Sequence, residues 1–405
     1  MASMIELIQN GGVTSPQGFI AGGVYSGLKT QESDTLDLGI LISEHEANLG
    51  AVFSNNSVLS PSVTVSRSRA TTGKSRGVVA NSGCANCCVG SQGEHDAIEM
   101  TTLASQHLGL GETDLLVCST GMIGVELPMA LIRQNIGNIT PHNDGGSEFA
   151  RSIMTTDSEE KHLAISLDIE NTKVIIGGCA KGVGMIHPNM ATMLAFITTD
   201  ADIDQKFLQD ATKKAADLSF NMISIDGDQS TNDTMLVFAN GGSGSATIDE
   251  KSPYAENFQE ALNYVCIELA KKMVRDGEGA KRLIEVIVDN APSLKDAQLA
   301  ARSVSDSMLV KAMVHGNDPN WGRVMMAVGN SGAKIEESNL DIFINEIHVV
   351  HEGKAIPYSI EAVVNAMDVP DVSIRISLNT GNFNATAWGC DLTEDYVIFN
   401  SAYST

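Results

Sequence analysis

Short Val/Ile-rich runs alternate along this chain with segments whose apolar residues recur every three or four positions, and that alternation commits it to a mixed α/β fold. Gly77 to Asn81, Leu115 to Ser119, Lys173 to Gly177, Thr192 to Thr199 and Glu285 to Asp289, bounded by Gly, Asn and Asp, predict buried strands. Helical spacing links Ile203, Phe207, Ala211, Ala215 and Leu218, then Phe258, Leu262, Val265, Leu269 and Met273, then Ala297, Ala301, Val304 and Met308. Near the C-terminus Val372, Ile374, Ile376 and Leu378 alternate with Ser373, Arg375 and Ser377, the period of an antiparallel strand with one wet face. The next run, Asn384 to Leu392, is expected to pair with it as a hairpin. Asn240 to Asp249, rich in glycine, is the best loop-tip candidate.

The 405 residues suffice for two or three domains. Lys and Arg total 26 against 50 Asp and Glu, a net charge of −24 that repels phosphate backbones and anionic lipid surfaces. Neither nucleic acid nor a membrane is therefore an expected partner, and a small anionic substrate needs a cation placed locally. No apolar stretch is long enough to span a membrane, and Met1 to Asn10 carries Glu6 and Gln9 with no basic region before an apolar core. The expectation is a soluble, cytoplasmic protein. Its seven cysteines, at 84, 87, 88, 118, 179, 266 and 390, include no second CxxC to complete a zinc site and read as reduced thiols.

The most unusual stretch runs from Gly177 to Thr192, a glycine-rich loop with one lysine, Lys181, ending in a threonine that opens an apolar run. A phosphate-binding loop needs Ser or Thr after its lysine at the mouth of a helix, whereas Gly182 follows here and a strand comes next. Alone, Thr192 is a β-branched residue starting a strand. It gains a chemistry if the Ala191–Thr192 bond is cut, because its free α-amine then serves as base to its own hydroxyl. Acyl transfer through such a hydroxyl generates an oxyanion that needs waiting donors. The Thr120 hydroxyl and the Gly121 amide, directly after the Leu115 to Ser119 strand, are candidates, although the same residues also suit an ordinary strand-ending turn.

These motifs together carry a resemblance. Thr120-Gly121, the Lys181 to Leu194 loop, Asp226-Gly227-Asp228 with Ser230-Thr231-Asn232-Asp233, Asp318 to Arg323 and Trp388 to Thr393 resemble the ornithine acetyltransferase (glutamate N-acetyltransferase, ArgJ) family from near Gly12 to Thr405. The resemblance implies self-cleavage between Ala191 and Thr192 into an α chain, 1–191, and a β chain, 192–405, whose first residue is the nucleophile. It implies an oxyanion hole at Thr120 and Gly121, and substrate-binding roles for Thr155, Lys181, Thr192, Glu278, Asn400 and Thr405, with Thr156 an adjacent candidate. Lys181 would hold a substrate carboxylate and Glu278 an ornithine ammonium; without the resemblance Glu278 reads as a solvated loop carboxylate. The implied reaction is ping-pong acetyl transfer from N-acetyl-L-ornithine to L-glutamate in arginine biosynthesis, with acetyl-CoA left open as a second donor. The implied fold is a mixed α/β sandwich with two lobes, the nucleophilic threonine starting a central strand, assembled as α2β2. No cofactor and no metal are expected.

Asp226, Asp228 and Asp233 lack the glycine and glutamate that a calcium loop needs, so they read as a hydrogen-bonded organiser near the site. His187 reads as a loop residue, because a free α-amine makes a second base unnecessary. Cys84, Cys87 and Cys88 form a cluster that can bind a soft metal, a reading weakened by the lack of partner ligands, or undergo oxidation; Cys84 and Cys87 depart from the family pattern, which points to redox sensitivity of the Asn81 to Gly90 loop. The rival functions are a related self-cleaving amidase or aminopeptidase with water as acceptor, and a non-catalytic amino-acid sensor.

Overall fold

The structure, a computed structural model, describes residues 5–30, 35–187 and 193–402. Its strands in chain order are β1 (Glu6–Ile8), β2 (Phe19–Val24), β3 (Leu38–Phe53), β4 (Lys74–Asn81), β5 (Leu115–Ser119), β6 (Lys161–Ile169), β7 (Thr172–Lys181) and β8 (Leu194–Thr199). There follow β9 (Ile223–Ser224), β10 (Thr234–Ala239), β11 (Leu283–Ala291), β12 (Asp341–Ile344), β13 (Ile347–His351), β14 (Lys354–Ala355), β15 (Asp371–Ser377) and β16 (Phe383–Cys390).

Two sheets result. One runs β1-β6-β7-β8-β10-β3-β4-β5 with β2 also paired to β3, and the other runs β14-β13-β12-β15-β11-β16-β9. β8 and β10 are buried at every position. They lie mid-sheet with both faces covered, so they read as continuous apolar runs rather than alternating ones. The helix Gln205–Leu218 begins at Asp204, whose side chain accepts the Phe207 amide as an N-cap. Its buried Leu208, Ala211 and Ala215 face the neighbouring helix and β3. The helix Ala255–Arg275 touches β6 and β7 of the first sheet as well as β9, β11 and β16 of the second. One continuous apolar core therefore joins both sheets through these helices.

The mixed α/β expectation holds, with two sheets. The expected hairpin near the C-terminus does not form. β15 and β16 instead flank β11, β15 in parallel and β16 in antiparallel register. Alternation along β15 reports which face is wet and carries no information about which strand lies beside it. The third predicted helix stops at Asp306; Ser307 then caps a new helix through the Val310 amide, and Met308 belongs to that second helix, 71% exposed. Asn240 to Asp249 is a loop tied back by Asn240 N to Thr199 O and by a bridge between Ile203 and Ile248. Among the described residues no helix is long and apolar enough to cross a membrane.

Candidate active site

β7 delivers Lys181 at its last position, and the side chain is nearly enclosed, 7% exposed. Its Nζ donates to Thr120 Oγ1 at 3.1 Å and to Thr155 Oγ1 at 2.9 Å. An ammonium has three donors, so one N–H remains for a ligand. Thr120 follows β5 and is held by its amide to Asn81 O at 3.0 Å. Gly121 has φ +126°, and a Cβ there would sit 2.3 Å from the Gly83 carbonyl carbon, so only glycine fits this turn.

Facing this corner is Glu278, whose Oε1 accepts the Thr156 hydroxyl at 2.7 Å and whose Oε2 accepts Asn400 Nδ2 at 2.9 Å. Asn400 comes from the last described helix, Glu394–Ala402, which brings Tyr396 and Asn400 to the cavity. Thr120, Gly121, Thr155, Thr156, Lys181, Glu278 and Asn400 all line one cavity of about 380 Å³. It therefore presents a buried cation, a fixed carboxylate and several hydroxyls, a donor set suited to a molecule carrying both an acid and an amine.

The sequence model of the ArgJ family matches residues 20–405. The chain belongs to the ArgJ family. It is 44% identical to the arginine biosynthesis bifunctional protein ArgJ of Dehalococcoides mccartyi over 405 residues, covering 100% of both chains. It is 45% identical to the protein of that name from Symbiobacterium thermophilum over 399 residues, 98% of this chain and 99% of the other. A crystal structure of the Bacillus halodurans ArgJ bifunctional protein, 41% identical, superposes with a TM-score of 0.51 and covers 52% of this chain and 100% of its own.

Of the site residues expected for an ArgJ protein, Thr120, Gly121, Thr155, Lys181, Glu278 and Asn400 are brought together, and Thr156 joins them. Ala191, Thr192 and Thr405 lie outside the described residues. Met193 O accepts the Thr234 amide at 2.9 Å.

The frame beneath the cavity was not legible in the sequence. Asp157 Oδ1 accepts Gly182 N at 3.1 Å and Oδ2 accepts Thr155 N at 3.0 Å, so one carboxylate holds both walls of the Lys181 corner. Burial pushes the Asp157 carboxyl up, but Lys181 and Lys161 outweigh it and hold it below its ordinary value. Lys161, fully enclosed, pairs with Asp157 at 2.7 Å and with Asp276 at 2.6 Å. Burial lowers the Lys181 pKa against the opposing pull of Asp157, Asp233 and Glu278. A lysine opening a strand reads as solvated, and only the fold reveals Lys161 as a buried ion.

Asp226 matches the organiser reading. Its carboxylate accepts the amides of Met185 at 2.6 Å and Ile186 at 2.9 Å, and Tyr396 Oη donates to it at 3.4 Å. His187 contacts Ser224 and Arg302 and does not line the cavity. The seven cysteines are free thiols, and Cys87 Sγ lies 3.7 Å from Cys88 Sγ.

Proposed function

We propose that this protein transfers an acetyl group from N-acetyl-L-ornithine to L-glutamate through an acetyl ester on Thr192, after cutting its own Ala191–Thr192 bond. The observation that carries the reading is the pairing of a buried cation, Lys181, with a fixed carboxylate, Glu278, in one cavity that also contains Thr120 and Gly121.

Lys181 takes the substrate α-carboxylate with its remaining N–H, and Glu278 takes the ornithine ammonium. The Thr192 α-amine accepts the proton of its own hydroxyl as the oxygen attacks the acetamide carbon. The oxyanion forms against the Thr120 hydroxyl and the Gly121 amide. Because Lys181 donates to Thr120 Oγ1, the threonine's own proton is free to point at that charge, and the adjacent cation strengthens it as a donor. The C–N bond breaks, the α-ammonium returns its proton to ornithine, and ornithine leaves. The amine of glutamate then attacks the ester and regenerates Thr192. Donor and acceptor share an amino-acid skeleton, so one pocket serves both half-reactions.

The curated relatives are named as bifunctional arginine biosynthesis proteins, and on that basis acetyl-CoA is proposed as a second acetyl donor. Self-cleavage is supported by the solved Bacillus halodurans chain, whose full length spans 52% of this one; residues 192–405 are likewise a little over half of it. An α2β2 assembly and a cytoplasmic location belong to the same proposal.

Intact mass under denaturing conditions, with N-terminal sequencing and a Thr192→Ala control, tests the nucleophile. Two fragments are expected, the second beginning Thr-Met-Leu-Ala-Phe and absent from the control; a single uncut species overturns the mechanism. Incubation with N-acetylornithine, with and without glutamate, tests the acceptor. Acetate released at the same rate without glutamate would instead make the protein a hydrolase.

A further inference from the structure

We propose that Asp341, His348 and His351 form a binding site for a divalent ion of the zinc class. The three residues lie on the β12–β13 hairpin of the second sheet, and none of them lines the acetyl-transfer cavity.

A β-bulge builds the cluster. Ile342 pairs with Val350 and Phe343 pairs with His348, so Val349 is an extra residue on β13. In a regular strand, residues three apart point to opposite faces. The extra residue resets the alternation, and both imidazoles turn to the same carboxylate. Asp341 Oδ1 lies 2.8 Å from His351 Nδ1 and 3.7 Å from His348 Nε2, and the three donor atoms are all within 4.8 Å of one another. Tetrahedral coordination with bonds of about 2.0–2.1 Å separates neighbouring donors by about 3.3–3.4 Å. The two carboxylate–imidazole distances straddle that value, so sub-ångström side-chain shifts admit an ion.

Two further observations favour an ion over a simple His–Asp contact. His348 Nε2 is shielded from solvent and has no hydrogen-bond partner among the described residues, an expensive state for a ring nitrogen unless something coordinates it. The ligands are also held from behind, as metal ligands are. Asn379 Nδ2 donates to Asp341 Oδ2 at 3.0 Å, and the Glu352 amide donates to Oδ1 at 3.0 Å. The His348 ring stacks on Phe343 at 4.2 Å, and Phe343 in turn carries the Arg375 guanidinium at 3.7 Å. Asp289 at 3.5 Å and Glu346 at 3.7 Å compensate that cation. Two imidazoles and one carboxylate suit zinc, cobalt, nickel or copper rather than magnesium or calcium. His351, 53% exposed, leaves the fourth position open to water.

The test uses the purified protein after chelator treatment, titrated with Co²⁺ under visible absorption and then displaced with Zn²⁺. One Co²⁺ per protomer is expected, and His348→Ala and His351→Ala should each weaken it at least tenfold. Zn²⁺ should raise the Tm of the unsubstituted protein and leave that of His348→Ala unmoved. Acetyl transfer should be unchanged in both variants, which also verifies their folding. No Co²⁺ uptake, or uptake as tight in both variants as in the parent, overturns the proposal; the latter places the ion elsewhere, for example at Cys87 and Cys88.

Discussion

Lys181 and Leu194 face one another in the antiparallel ladder of β7 and β8, on either side of the Ala191–Thr192 bond. β8 is flanked on its other edge by β10, which pairs on with β3. Strands from both sides of that bond are thus interleaved in one sheet, through the pairings of β7 with β8, β8 with β10 and β10 with β3. If that bond is cut as proposed, the two fragments are expected to co-elute as one species in native size exclusion and to part only in denaturant, with a single cooperative transition. Separation of the fragments in native buffer would contradict this register.

Gly121 and Gly124 make a controlled pair. Both have positive φ, +126° and +82°, but a Cβ at Gly121 meets the Gly83 backbone whereas one at Gly124 meets nothing within 4 Å. Gly124→Ala therefore costs only the left-handed backbone penalty, about 1 kcal/mol. Gly121→Ala must also displace the turn that carries Thr120. It is expected to lose about 1–3 kcal/mol and at least tenfold in kcat. Urea unfolding and steady-state rates on both variants check the contrast; equal losses would show that the turn yields freely.

The parts of the site legible in sequence were those whose residues travel in short continuous motifs. Thr120-Gly121 and the Lys181 loop each carry their chemistry within a few positions, so the chain could be read there directly. Asp157, Lys161 and Asp276 brace the cavity from beneath, yet no local pattern distinguishes a buried lysine from a solvated one. The same limit explains the missing hairpin, since β11 inserts between β15 and β16 from about eighty residues upstream. His348 and His351 at a spacing of three in a strand point apart until the bulge at Val349 is known.

Asp233 gives stability a pH dependence of definite sign. It is 2% exposed, and burial pushes its carboxyl well above the usual range although Lys181 pulls the other way. A carboxyl whose folded pKa exceeds its unfolded value holds its proton more tightly when folded. Its contribution is complete below about pH 4 and is lost as pH rises through the folded value. Asp233→Asn should flatten that decline. Urea midpoints from pH 4 to 8, measured in a Thr192→Ala background so that both chains are uncut, should show a smaller fall in the variant. An unchanged slope would place the titration elsewhere.

Thr156 and Asn400 occupy separate oxygens of Glu278, so the carboxylate is aimed while half its lone pairs stay free for an ammonium. Glu278→Gln keeps a side chain of the same shape but removes the charge. A charged hydrogen bond of about 1.5–3 kcal/mol then disappears, and KM for N-acetylornithine should rise about tenfold or more with unfolding stability little changed. Because Asn400 lies on the last described helix, a C-terminal extension should reproduce part of this loss while an N-terminal one leaves KM alone. Equal KM values for the two tagged forms would mean that the chain end does not help to aim Glu278.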